Sequence, residues 1–340
     1  MTARARPIAS ASSSRRRGTF IVLTRGRVIG DVSPAGGESA VLHRAAALRS
    51  SMVVVFNPTA GRRRAALLWR VLDVLVANGV RLDLVETLRP GHAEALAREA
   101  SRAGARLVVA AGGDGTIAEV ANGLIGAEAR LGIIPLGTAN VLAQELQLSF
   151  APRAVAAALA FGRTRPLWPG LVIGEGRQHL FVQMLGIGFD AQVVHRLPSA
   201  LKRRCGRGAY VMQTLRELLR YRFDPLTLRI DGTETTAASA IISKGRLYAG
   251  PYLLAPDACP SEAGFSVALF DRPGALPALL SGAALPLGLL SRAPWVRHVR
   301  ARSIDVLGNL PVCVQADGDA AGMTPLSVRD APAPIDVVVG

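Results

Sequence analysis

The chain has 340 residues, half of them hydrophobic, which exceeds what one core usually holds and points to two domains. Lys and Arg outnumber Asp and Glu by 40 to 25, so an anionic partner is expected, with membrane lipid, nucleotide and nucleic acid all eligible. The cysteines Cys205, Cys259 and Cys313 are far apart and show no Cys-x-x-Cys spacing, which indicates neither a disulfide framework nor a zinc site and fits a reducing compartment.

Residues 1–50 mix Ala, Ser and Arg, as in Ser12-Ser13-Ser14-Arg15-Arg16-Arg17, and read as a basic, mostly disordered arm. Its apolar run Phe20-Ile21-Val22-Leu23 is too short for a signal-peptide core or a membrane span. A transit-type amphipathic segment stays open.

Strand-like runs follow at Val53 to Phe56, Leu82 to Val85, Leu107 to Ala111 and Leu131 to Ile134. Helical patterns alternate with them at about Arg64 to Asn78, His92 to Ala103 and Ile117 to Ile125. Such alternation predicts a doubly wound, mainly parallel α/β domain over 51–166. From Leu167 the runs shorten, as in Leu226-Thr227-Leu228-Arg229-Ile230 and Phe265 to Phe270, and are broken by Gly, Asp and Pro. That texture predicts an antiparallel β-sandwich domain over 167–330, interrupted by one helix around Tyr210 to Tyr221. Residues 331–340 are a C-terminal segment able to return to the first domain. The run Pro273 to Ser291 lacks any charge, but its prolines and glycines argue for a packed or interfacial helical hairpin instead of a spanning helix. The basic residues after it, Arg292 to Arg302, suit an anionic bilayer surface.

The loop Gly112-Gly113-Asp114-Gly115-Thr116 carries the most chemistry, because it leaves the buried strand Leu107 to Ala111 where α/β sheets collect ligands. Its glycines let backbone N–H groups face a polyphosphate, and the next helix points its positive end the same way. Asp114 repels phosphate, so its natural task is to hold Mg²⁺ or a water of the metal's shell. A tight turn that binds nothing is the competing explanation for such a loop. Two further strand-to-helix turns weigh against it: Asn57-Pro58-Thr59-Ala60-Gly61 with Arg62-Arg63-Arg64, and Pro135-Leu136-Gly137-Thr138-Ala139-Asn140.

In this order and rough spacing the three segments resemble the catalytic domain of the diacylglycerol kinase family, which includes bacterial lipid kinases, diacylglycerol kinases and sphingosine kinases. The glycine-rich loop alone is shared with NAD kinases and, in altered form, phosphofructokinases; the other two segments favour the lipid branch. The likeness continues through Gly186-Ile187-Gly188-Phe189-Asp190, Ala255-Pro256-Asp257-Ala258 and Gln315-Ala316-Asp317-Gly318-Asp319, covering about residues 51 to 330.

The resemblance implies an ATP- and Mg²⁺-dependent lipid kinase that phosphorylates a hydroxyl of a diacylglycerol-like acceptor in the cleft between the domains. It implies ATP contacts from Asn57, Thr87, Gly112, Gly113, Asp114, Gly115, Thr116, Ile117, Ala118, Thr138 and Asn140. Asp114 would hold the catalytic Mg²⁺, directly or through water. Asp317 would be the general base, although an Asp-Gly hairpin turn explains its sequence equally well. Glu262, in Cys259-Pro260-Ser261-Glu262-Ala263-Gly264, would serve the structural Mg²⁺ of some bacterial members. Departures from the family pattern are Val141 for an Asp, Asp319 for a Glu, and this Cys259–Gly264 segment, which only approximates an Asp-Gly metal motif. Expected partners are ATP, a membrane lipid and the anionic inner face of a membrane, reached peripherally from the cytoplasm; a homodimer is compatible and nucleic acid is not expected. The alternatives are a sphingoid-base or other lipid kinase, an NAD-kinase-like nucleotide kinase, and a silent lipid-binding relative.

Overall fold

The computed structural model describes residues 20–24, 27–29, 51–60, 65–174, 177–198, 201, 207–308 and 310–340. Its first sheet is built from β1 (Phe20–Thr24), β2 (Arg27–Ile29), β3 (Met52–Phe56), β4 (Leu82–Glu86), β5 (Leu107–Gly112), β6 (Arg130–Pro135) and β7 (Arg163–Leu167). The C-terminal strand Ile335–Val339 inserts between β6 and β7, parallel to the former and antiparallel to the latter. The core strands β4, β3, β5 and β6 are mutually parallel. Met52 to Phe56 and Leu107 to Gly112 are buried at every position, as continuous aliphatic runs must be when helices cover both faces.

Those helices are α1 (Ala65–Ala77), α2 (His92–Arg102), α3 (Asp114–Leu124), the short α4 (Val141–Glu145) and α5 (Pro152–Phe161). On one face Leu96 and Ala97 of α2 and Ile117 and Val120 of α3 pack with Val53, Val55 and Val108. On the other, Leu68, Val71 and Leu72 of α1 and Val155 and Leu159 of α5 pack with Val54 and Val109. The chain moves from β3 to β4 on one side and then crosses back to β5 on the other. The switch point therefore lies between β3 and β5, where a crevice opens at the carboxyl ends of the strands.

The second layer pair is an antiparallel sandwich. One sheet runs in the order 296–301, 265–270, 239–243, 184–187, 313–316, 319–323; the other runs 233–237, 226–230, 304–307, 326–330, 170–174, 177–181. Leu185, Val267 and Val314 of the first sheet meet Leu228, Val306 and Val328 of the second in one core. Among the described residues, α6 (Phe189–Arg196), α7 (Arg207–Leu218) and α8 (Ala275–Ala284) flank the sandwich.

Three details differ from the reading of the sequence. Part of the expected arm is ordered: β1 and β2 form a hairpin, and β1 pairs with β4, whose backbone groups would otherwise face outward at the sheet edge. The rest of residues 1–50 lies outside the described residues. Helix α3 starts at Asp114, inside the glycine-rich loop, with Gly113 as its extended cap. Within the uncharged run, α8 ends at Ala284 and a 3-10 turn follows at Leu290–Arg292. Among the described residues no helix is long and apolar enough to cross a membrane.

Candidate active site

Three loops meet at the crevice, and hydrogen bonds lock them together. Asn57 Nδ2 donates to Thr116 Oγ1 at 3.0 Å, tying the loop after β3 to the start of α3. Its Oδ1 accepts from the Thr59 N–H and hydroxyl at 3.0 and 2.8 Å, shaping the turn that follows. Leu136 N–H donates to Gly112 O at 2.9 Å, and the two glycine segments then approach so closely that a Cβ on Gly137 would lie 2.5 Å from Gly113 Cα. Glycine is required there by space. Gly112 is equally constrained, since a Cβ would stand 2.4 Å from Thr116 Oγ1.

Asp114 occupies the centre of this arrangement. Its Oδ1 accepts from Val141 N–H at 2.6 Å, and the N–H groups of Leu142 and Asn140 also face its carboxylate. Burial pushes the Asp114 carboxyl up, and these N–H groups pull it back. The side chain at position 141 packs in an apolar cluster with Met184 and Leu254, so Val141 serves the site through its backbone alone. Asn140 takes a left-handed conformation at φ 49° and donates to Gly137 O, while its buried Oδ1 has no hydrogen-bond partner. An amide oxygen left in that state calls for a ligand or cation.

The remaining expected contacts separate into two groups. Thr138 is exposed on the third loop, and Thr87 lies at the end of β4 with its N–H on Phe56 O at 2.8 Å, beside the first loop. Glu119 of α3 secures that neighbourhood by accepting from Gly91 and Ala93 N–H at 2.9 and 3.0 Å. Ile117 and Ala118 stand differently. The Ile117 side chain is fully buried in the core and its N–H bonds to Gly113 O, while Ala118 packs against the same core. Neither offers a polar group to a nucleotide; they hold α3 in place.

From the sandwich, the hairpin 313–323 reaches the same place. Asp317 and Gly318 form its two-residue turn at φ 50° and 86°, the geometry that favours Asp-Gly between paired strands. The Asp317 carboxylate accepts from Val182 N–H at 2.8 Å through Oδ2 and from Gln183 and Met184 N–H at 2.8 and 3.0 Å through Oδ1. Burial, with a smaller contribution from the nearby charge of Asp114, pushes its pKa up to about 7 against the pull of those donors. Asp319 is oriented otherwise. It is exposed, and a Cβ built on Gly115 would stand 2.6 Å from its Oδ2, so this carboxylate lies against the glycine-rich loop. Behind the turn, Asp190 accepts from Tyr248 Oη and, at 2.8 Å, from Gln315 Nε2, while Gln315 Oε1 receives Gly318 N–H at 2.8 Å. Gly186 makes room for Asp190, whose Oδ2 would be 2.1 Å from any Cβ there.

The comparisons agree with this geometry. Residues 51–172 match the family model for the diacylglycerol kinase catalytic domain, and residues 183–339 match that for the YegS C-terminal NAD kinase beta sandwich-like domain. A protein of Pseudomonas putida named "Probable lipid kinase YegS-like" is 32% identical over 237 residues, 67% of this chain and 78% of that one. This chain belongs to the diacylglycerol kinase catalytic-domain family. The "Diacylglycerol kinase" of Bacillus subtilis is 28% identical over 80% of this chain and 90% of its own. A crystal structure of a diacylglycerol kinase from Bacillus anthracis has the same fold, with a TM-score of 0.67 over 85% of this chain and 96% of its own at 22% identity.

Within this family frame the expected structural Mg²⁺ does not fit. Fully buried Lys244 projects its ammonium into the 259–264 loop, where Nζ donates to Glu262 O at 2.9 Å, Gly264 O at 2.8 Å and Asp330 Oδ1 at 2.9 Å. Two carbonyls and a carboxylate are the oxygen set a cation requires, and the lysine already supplies the positive charge. The Glu262 side chain points away to solvent, 4.0 Å from Arg300. Among the described residues no group of three or more His, Cys, Asp or Glu is arranged to hold a metal.

Proposed function

We propose that this chain is an ATP- and Mg²⁺-dependent lipid kinase that moves the γ-phosphoryl group of ATP to a hydroxyl of a diacylglycerol-like membrane lipid. The observation that carries the reading is the approach of Asp319 to Gly115, because it brings a carboxylate from the sandwich onto a phosphate-type loop of the α/β layer. Phosphoryl transfer needs little more than positioning, charge neutralisation and a base beside the accepting hydroxyl.

The phosphates would lie against the backbone at the start of α3, beside Asn57, Thr116 and Thr138, where Gly112, Gly113 and Gly115 let the loop close on Thr116, Gly137 and Asp319. Asp114 and the unpartnered Asn140 Oδ1 are the groups that would hold Mg²⁺, which when bound spreads the charge of the β- and γ-phosphates. We assign the general base to Asp319 in place of Asp317. Both Asp317 oxygens already accept backbone N–H groups and order residues 182–184, whereas Asp319 faces the loop. Asp319 takes the proton of the lipid hydroxyl; the hydroxyl oxygen bonds to the γ-phosphorus; the bond from that phosphorus to the bridging oxygen breaks, and ADP leaves.

The test is a panel of vesicle-borne acceptors with labelled ATP: diacylglycerol, phosphatidylglycerol, monoacylglycerol and a sphingoid base. Label in one lipid, lost without Mg²⁺, supports the reading. Label transferred only to a soluble dinucleotide, or to nothing, refutes it.

A further inference from the structure

Helix α7 buries polar side chains and exposes large apolar ones. Its buried positions include the polar Gln213 and Glu217, at 5% and 3% exposure, joined by a 2.8 Å bond from Gln213 Nε2 to Glu217 Oε1. Its outward positions include a run of apolar residues: Val211 is 61% exposed, Met212 39%, Leu215 52%, and Leu219, just past its end, 88%. Residues at this spacing share one helical face. A solvated helix has the opposite distribution, because each exposed leucine forgoes burial.

The neighbouring segment repeats the pattern. Helix α8 touches α7 and exposes Leu276, Leu279 and Leu280, and the turn beyond it exposes Leu287 and Leu289. No charged residue occurs from Pro273 to Ser291, and exposed Arg272 and Arg292 stand at its two ends. Exposed Arg216 stands in the last turn of α7 and exposed Arg220 and Arg222 follow it, and from Arg207 to Arg222 the sole acidic residue is the buried Glu217. An apolar face rimmed by arginine matches an anionic bilayer, whose acyl boundary accepts leucine while its phosphates meet guanidinium groups.

The face is also joined to the site, since Tyr210 of α7 donates its hydroxyl to Gly318 O at 3.5 Å, in the turn that carries Asp319. We propose that α7 and α8 form one docking face that inserts its leucines into the surface of an anionic phospholipid membrane. This deepens the lipid-kinase reading and rests on it for the use made of the docked lipid. Docking there holds the Asp319 hairpin beside the bilayer, so an acceptor headgroup reaches the crevice without the whole lipid leaving the membrane.

The test is flotation of the full chain, without nucleotide, on vesicles of equal parts phosphatidylglycerol and phosphatidylcholine, and on phosphatidylcholine alone. The wild type should float on the anionic vesicles and far less on the neutral ones, with binding falling as salt rises. Leu215→Glu with Leu219→Glu, and separately Leu279→Glu with Leu280→Glu, should lower the partition coefficient about a hundredfold, as expected for losing two inserted leucines. Arg216→Gln with Arg220→Gln should remove the preference for anionic vesicles while leaving the melting temperature unchanged. The proposal is overturned if the wild type does not float, if both leucine pairs float like the wild type, or if the leucine changes convert a wild-type dimer to monomer in sedimentation velocity. Turnover of a short-chain, water-soluble acceptor by the leucine variants separates the two readings. A chain that floats as described but phosphorylates no acceptor keeps the docking face and loses the kinase.

Discussion

Replacing Asp317 with Asn tests whether its carboxylate orders the 182–184 segment from a buried, reluctantly charged state. The pKa rises from 3.8 to about 7, so ionising this group in the folded chain costs about 4 kcal/mol more than in water, at 1.36 kcal/mol for each pH unit. Between those two values the folded chain binds more protons than the unfolded one. Its contribution to stability is therefore fully present below pH 3.8 and is lost as pH rises through about 7. Asn cannot titrate, and its NH₂ group must face at least one of the three backbone N–H donors, at roughly 1–3 kcal/mol for each bond left unmade. Urea unfolding followed by tryptophan fluorescence should thus show the wild type ahead of Asp317→Asn at about pH 5. That lead should shrink by about 3 kcal/mol by about pH 9, most of the full range. A gap that stays constant, or widens with pH, would refute the assignment of a raised pKa to this carboxyl.

Asp114→Asn keeps the shape of the site but removes its central charge, so Mg²⁺-dependent turnover should fall by at least roughly two orders of magnitude with little change in melting temperature. Near wild-type rates in a steady-state assay would exclude the metal role. Gly115→Ala should lower kcat about a hundredfold without unfolding the chain, because the new Cβ would stand 2.6 Å from Asp319 Oδ2 and push that carboxylate away; an unchanged kcat would show that Asp319 does not act from this position. Lys244→Met should destabilise the chain by about 3–5 kcal/mol, since Asp330 and two carbonyls lose a buried cation. For the same reason EDTA should leave the wild-type melting temperature unchanged; a clear fall would return a structural metal to this loop.

The α/β layer is legible because its signals are local. Strands buried on both faces must be unbroken aliphatic runs, and the glycines at their ends have no alternative where loops come so close that a Cβ on Gly137 would stand 2.5 Å from Gly113 Cα. What the sequence hides are choices made between distant segments. Asp317 and Asp319 sit two residues apart in one hairpin, and only the positions of Val182 to Met184 and of Gly115 show which carboxylate is enclosed and which faces the loop. Ile117 lies inside the motif yet points into the core, because α3 begins three residues earlier than its apolar pattern suggests. The Lys244 site had one available clue, a lysine closing the apolar run Ala240-Ile241-Ile242-Ser243, but its partners lie 18 to 86 residues away. The strand at Phe20–Thr24 is a short run among basic residues, and only its pairing with β4 defines it.

Asp319→Asn, assayed with labelled ATP and vesicles of the best acceptor from the panel, tests the central claim most directly. The account predicts a fall in phosphate transfer of roughly two to four orders of magnitude with ATP binding unchanged by calorimetry, the usual reach of a general base. Transfer by Asp319→Asn at the wild-type rate would contradict it.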